Sequence, residues 1–195
     1  MLAQIENFRR EFAVFTITAF AHTMNKPAAP EKFLADFQAA ANQPVWQVVN
    51  DEVMGGVSSS QFQVVSNGVA VFSGVVSLDN HGGFASVRSS PSPHNLAGCG
   101  SFLVRLRGDG HRYKFTVRTE TRFDAPLYQC GFLAKLNEWE EHRLAFKDFV
   151  PTFRGRTLPN VPALNPAKVV SVGLLIADKQ AGPFRLEMSW IKALP

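Results

Sequence analysis

From Pro44 onward the chain alternates apolar and polar residues in short runs broken by Gly, Asn and Pro, and this period of two admits strands and little else. The last run is the cleanest, with Phe184, Leu186, Met188 and Trp190 expected on one face. Strands are predicted near 45–50, 61–66, 69–78, 84–88, 101–107, 112–119, 127–133, 139–146, 169–177 and 183–192. Turn signals separate them at Asn67-Gly68, Gly82-Gly83, residues 89–95, Asp109-Gly110 and Ala181-Gly182-Pro183. No long helical period follows residue 44, so the expected fold is an all-β sandwich of the jelly-roll kind. The gap at 147–168 holds four prolines and no strand pattern, and reads as one long loop.

A chain of 195 residues with 46% apolar residues and 17 Phe can bury a sizeable single core. The sandwich domain is expected over 44–195, preceded by a tail and linker at 1–43. The tail has three readings: a short amphipathic helix over 2–15, a signal-like segment over 1–21, or an extension ahead of a true start at Met24. The net charge of +4 is spread without a Lys/Arg block, so no nucleic-acid partner is implied. No apolar run is long enough for a membrane helix. Cys99 and Cys130 fit no metal spacing; they read as free thiols of a reducing compartment, with one disulfide as the alternative. The cytoplasm is the expected location, the alternatives being the periplasm if 1–21 is a signal peptide and the mitochondrial matrix in a eukaryote.

Two loops share one character. Val49–Ser60 reads V-N-D-E-V-M-G-G-V-S-S-S, and residues 79–84 read D-N-H-G-G-F. Gly55 or Gly56, and Gly82 or Gly83, are expected to hold positive φ, while Asn50, Asp51, Ser58 and Asn80 bond nearby backbone. Either Met54 tucks into the core, or the loops are rigid contact surfaces on which Asn50, Asp51 and the serines face a partner. Asp109-Gly110 reads as a two-residue hairpin turn pairing Leu106 with Tyr113, Val104 with Phe115 and Phe102 with Val117. That register gathers Arg105, Arg107, Arg112 and Lys114 in one basic patch, unless acidic residues of a neighbouring strand neutralise it.

The glycine loop at 49–60, the run F-S-G-V-V-S-L-D-N-H-G-G-F-A-S-V-R ending at Arg88, R-L-R-G-D-G-H-R-Y-K at 105–114, F-V-P-T-F-R-G-R at 149–156 and G-L-L-I-A-D-K-Q-A-G-P-F-R-L-E at 173–187 together resemble the complex I intermediate-associated protein 30 family. The resemblance spans about residues 36–192 and implies a galactose-binding-domain-like β-sandwich. It also implies an assembly factor for an NADH:ubiquinone oxidoreductase, working by contacts with respiratory-complex subunits or assembly intermediates rather than by catalysis.

The residues themselves add little chemistry. The serines and histidines show no spacing that assembles a nucleophile triad, the histidines show no zinc spacing, and Asp51, Asp79 and Asp178 are too scattered for a calcium site, so neither cofactor nor metal is expected. Arg154 and Arg156 flank Gly155 and are either solvated or clamps for a carboxylate. Trp46, Trp139 and Trp190 sit in strand patterns and are expected in the core. The alternative function is a carbohydrate- or small-ligand-binding module, with an anionic ligand suited to the basic residues.

Overall fold

Burial of one face of each alternating run draws the chain into two antiparallel sheets. The computed structural model describes residues 31–39, 43–122 and 124–195. Its strands are β1 (Lys32–Asp36), β2 (Trp46–Asn50), β3 (Ser59–Val65), β4 (Val69–Val76), β5 (Ala85–Ser89), β6 (Ser101–Arg107) and β7 (Arg112–Arg118). They continue with β8 (Leu127–Leu133), β9 (Trp139–Ala145), β10 (Val150–Phe153), β11 (Arg156–Thr157), β12 (Ser171–Ile176) and β13 (Gly182–Leu194). One sheet runs β3-β4-β13-β6-β9, with β1 also on β13; the other runs β11-β10-β8-β7-β12-β5-β2. The fold is an all-β, galactose-binding-domain-like sandwich. Both readings of the tail's structure, helix and signal segment, fall outside the described residues.

The core lies between the sheets. Phe72, Phe102, Leu106, Leu186 and Met188 come from one layer and Tyr113, Phe115, Leu174 and Ile176 from the other, all fully buried. Burial of side chains this large contributes roughly 1.5–3 kcal/mol each before entropy is set against it. Phe102 sits at the centre, its ring 5.0 Å from that of Phe115, 4.7 Å from Phe146 and 5.6 Å from Phe149. Cys99 and Cys130 are free and half-buried.

The strands predicted from alternation are present, with four departures. First, β6 and β7 do not pair: β6 lies between β13 and β9, whereas β7 lies between β8 and β12. Gly108–His111 is an arch from one sheet to the other. Leu106, Val104 and Phe102 share the core with Tyr113, Phe115 and Val117 but come from the opposite layer, Phe102 meeting Phe115 across it. Apolar residues in register satisfy both arrangements, so the pattern alone does not separate them. The arch is set by Asp109, whose Oδ1 accepts the His111 N–H (3.1 Å) and whose Oδ2 accepts the Tyr113 hydroxyl (3.0 Å) and the Arg185 N–H (2.6 Å). Residues 134–137 brace it from outside: the Gly110 N–H donates to the Ala134 carbonyl, and the Asn137 N–H to the Gly108 carbonyl.

Second, the loop expected at 147–168 contains β10 and β11. Arg154 (φ 47) and Gly155 (φ 76) form the two-residue turn between them, with Phe153 opposite Arg156. Positive φ at both turn residues is the geometry whose twist suits a tight hairpin. Third, β1 pairs with β13 from Lys32 opposite Ala193 to Asp36 opposite Trp190, so the sheet extends N-terminal to the boundary expected at residue 44. Fourth, β13 slips its register between Met188 and Trp190, and this bulge turns Trp190 away from the face of Phe184, Leu186 and Met188. Ile191 and Ala193 continue the buried face instead.

The arch separates the two topologies experimentally. In an exposed hairpin turn, Asp109→Ala would change stability by a few tenths of a kcal/mol. In the arch it strands the buried Tyr113 hydroxyl and the Arg185 N–H, and a loss of about 2–4 kcal/mol is expected in urea denaturation.

Candidate functional site

The two glycine loops are crossovers between the sheets: one leads from β2 to β3, the other from β4 to β5. In the first, Asp51–Met54 forms a single 3-10 turn closed by Gly55 at φ 89. In the second, Asn80 and His81 take left-handed φ values of 54 and 61, and Gly83 takes 130. Positive φ therefore falls on Gly55 and Gly83, one glycine of each pair. Gly56 and Gly82 are small for another reason. A Cβ on Gly56 would collide with the Asp51 carboxylate, and one on Gly82 would stand 2.6 Å from its Oδ2.

Asp51 is the centre of this end. It is 1% exposed. Its Oδ1 accepts the Ser58 N–H (2.9 Å), while its Oδ2 accepts the Ser58 hydroxyl (2.5 Å), the Gly83 N–H (2.6 Å) and the Phe84 N–H (3.2 Å). The Ser58 oxygen in turn accepts the Ser77 N–H at 3.0 Å. Burial on its own would raise the Asp51 carboxyl, but the Ser58 hydroxyl and the Gly83, Ser58 and Phe84 amides outweigh it and hold the group below its ordinary value. Asn50 is also buried, its Oδ1 accepting the Ser60 hydroxyl at 2.6 Å.

This inverts the sequence expectation on both counts. Asn50, Asp51 and Ser58 face inward and hold the loops together, so they do not present themselves to a partner. Met54, expected in the core under one reading, is 62% exposed, and Val53 beside it is 64% exposed. Val57, Val75 and Leu78 are exposed at the same end, and Asn80 is exposed among them. A backbone fixed by a buried anion thus carries apolar side chains into solvent. Sequence alternation cannot reveal this, because Val and Met are read as core wherever they occur.

The basic patch does not form, because its members lie on opposite outer faces of the sandwich. On one sheet, Arg105 is 3.3 Å from Glu141, and the Arg107 guanidinium grips Glu187, its Nε at 2.8 Å. Arg185 takes the other Glu187 oxygen at 2.8 Å. Burial opposes the charge on Glu187, yet the two guanidiniums hold its carboxyl below the ordinary value. Trp139 is part-exposed between Arg105 and Arg107, whose guanidinium carbons lie 5.6 and 5.3 Å from its ring centroid. Trp190 is likewise covered by the Lys192 ammonium at 4.7 Å. Only Trp46 packs against the core as expected, stacked 4.9 Å from Phe62.

On the other sheet, Lys114 pairs with Asp178 at 2.7 Å, and the Arg112 backbone is bonded to the Gln180 amide. Arg154 and Arg156 are exposed at the β10–β11 hairpin, where Arg154 leans on the Phe153 ring. Arg88 lies on this same sheet, one strand away from Arg118 across β12. Among the described residues, no three His, Cys, Asp or Glu side chains converge to hold a metal ion.

Two consequences of the Asp51 tether are measurable. Asp51→Ala leaves its buried donors without an acceptor and should cost about 3–5 kcal/mol, while Ala at Gly56 should cost more than the roughly 1 kcal/mol of an ordinary glycine change. Because the folded carboxyl is depressed, its stabilisation is complete above the unfolded value of about 3.9 and disappears as pH falls through the lower folded value. The stability gap between wild type and Asp51→Asn, followed by denaturation across acidic pH, should therefore close below about pH 4.

Comparison with known proteins fits this architecture. The chain resembles the mitochondrial complex I intermediate-associated protein 30 of Neurospora crassa, with 26% identity over 148 residues, covering 67% of this chain and 53% of that protein. For the Drosophila melanogaster protein of the same name, identity is 24% over 178 residues, covering 80% of this chain and 60% of the relative. The chain thus spans little more than half the length of these relatives. Among solved structures, the family 11 carbohydrate-binding module of a Clostridium thermocellum cellulosomal cellulase superposes with a TM-score of 0.65 at 17% identity, over 86% of this chain and 95% of the module. That likeness is one of fold. The family model described as complex I intermediate-associated protein 30 matches residues 35–188, and the chain belongs to that family.

Proposed function

We propose that the protein is a non-catalytic assembly factor or scaffold for an NADH:ubiquinone oxidoreductase-type complex, binding a subunit or assembly intermediate through the glycine-loop end of the sandwich. The observation that carries this reading is the display of Val53, Met54, Val57 and Leu78 on loops whose backbone is fixed by Asp51. A surface ordered in advance loses little entropy on binding, and exposed apolar groups supply the contact area. Family membership and the names of the relatives support the respiratory setting. The free thiols suit a reducing compartment, either the cytoplasm or, in a eukaryotic cell, the matrix implied by the relatives' mitochondrial names. Carbohydrate binding ranks second, because Trp139 and Trp190 each have a cation over the ring where a sugar would stack.

Affinity purification of the tagged protein from its own cells should recover respiratory-complex subunits. A Val53→Asp, Met54→Asp double variant changes only exposed side chains, so it should fold with an unchanged melting temperature and lose most of that recovery. Undiminished recovery by the double variant would remove the loop end from the interface, and recovery of no respiratory subunit by the wild type would remove the assembly role.

A further inference from the structure

The outer face of the β2-β5-β12-β7 sheet holds a cleft of about 440 Å³ at the end away from the glycine loops. Its lining includes Trp46, Gln47, Arg88, Ser90, Arg118 and Thr121. The strand registers explain why the two arginines meet. Arg88 on β5 is opposite Gly173 on β12, Arg118 on β7 is opposite Ser171, and Thr116 is opposite Gly173. Gly173 therefore lies between the arginine-bearing strands without a side chain. A Cβ there would meet the Val87 carbonyl at 2.4 Å and the Thr116 hydroxyl at 2.9 Å, so the close approach of the two neighbouring strands to β12 at this point requires glycine.

The charges in the cleft are unbalanced. Five other cations on the outer faces of the sandwich have a carboxylate partner: Arg105 with Glu141, Arg107 and Arg185 with Glu187, Lys114 with Asp178, Lys192 with Glu31. Among the described residues, neither Arg88 nor Arg118 has one. Among the described residues, the one hydrogen bond of the Arg118 guanidinium is donation to the Arg122 carbonyl at 3.1 Å. Glu120 lines the same cleft, but its carboxylate is held by Arg122 at 3.0 Å. Burial, then repulsion from Arg88, lowers the Arg118 pKa, which places the two guanidiniums within reach of each other's field.

Half-buried like charges beside each other, without a counter-ion, are stable where an external anion completes them. Paired guanidinium forks match the planar, two-oxygen geometry of a carboxylate. The cleft is also far larger than one small ion needs, and Val45 and Pro91 give it an apolar end beside the charged one. We infer that this cleft binds an acidic peptide segment of a protein partner, with a carboxylate side chain gripped between Arg88 and Arg118 and an adjacent apolar residue against Val45 and Pro91. This surface is distinct from the glycine-loop end, and its occupancy does not depend on the respiratory assignment.

The test uses the purified chain alone, so its outcome is separate from capture in cells. Three titrants are compared by calorimetry: a short blocked peptide alternating Glu and Leu, the same peptide with Gln for Glu, and inorganic phosphate. The Glu peptide should bind, with affinity falling as salt is raised, and the Gln peptide should bind at least about tenfold more weakly. Arg88→Gln and Arg118→Gln should each weaken the Glu peptide by about tenfold or more, whereas Arg154→Gln, which removes the same charge from the exposed hairpin, should not. Should Arg118→Gln fail to fold, Arg88→Gln decides alone. Equal binding of the Glu and Gln peptides, indifference to Arg88→Gln, or binding of phosphate without the peptide would each overturn the proposal.

Discussion

A carboxylate buried between two sheets must be fully hydrogen-bonded or it unfolds its surroundings. Asp51 meets that demand with donors from both crossovers, at Ser58 on the way into β3 and at Gly83 and Phe84 on the way into β5. Because β3 and β4 belong to one layer and β2 and β5 to the other, one side chain fixes how the layers align at this end. The glycines follow from it: Gly56 and Gly82 make room for the carboxylate, and Gly55 and Gly83 turn the backbone so that its amides can reach it. The Val-Met tip is rigid for the same reason, since the residues on either side of it are committed to the tether.

Much of this fold is legible in the sequence because strand alternation is local. Runs such as 101–107 and 127–133 match β6 and β8 at both ends. Pairing is not local. Asp109-Gly110 has the composition of a hairpin turn, and Gly110 does take φ 91, yet the acceptors of Asp109 are filled by Tyr113 and by the sequence-distant Arg185. The true tight hairpin is at Arg154-Gly155, in a segment whose prolines hide its strands. Pro151 is tolerated inside β10, where it lies opposite Tyr128 and its carbonyl still accepts the Leu158 N–H at 2.9 Å. The bulge before Trp190 is equally invisible, because one extra residue changes the face of a tryptophan without changing the composition around it.

The candidate site was legible in its parts and not in its sense. Asn50, Asp51, Ser58 and the glycines do form one unit, but the polar members are its interior and the apolar ones its surface. The arginines show the converse. Four cations assigned to one patch divide between two faces, and their partners Glu141, Glu187 and Asp178 become neighbours only through strand pairing and sheet-to-sheet turns. Arg88 and Arg118, separated by 30 positions in the chain, come together only because β12 inserts between their strands.

The long strand β13 also bears on how the molecule is made. One of its edges holds β4 along Gly182–Met188 and then β1 along Trp190–Ala193, while the other holds β6 along Glu187–Leu194. Strands that leave the ribosome far earlier therefore wait for a common partner that emerges after all of them. Until it arrives, β1, β4 and β6 expose edges able to pair with other chains. The layer containing them closes in a single late event dominated by contacts distant in sequence, which places folding in the slow range typical of β-sandwiches, about milliseconds to seconds. A nascent chain of this kind keeps those edges unpaired until β13 has left the ribosome.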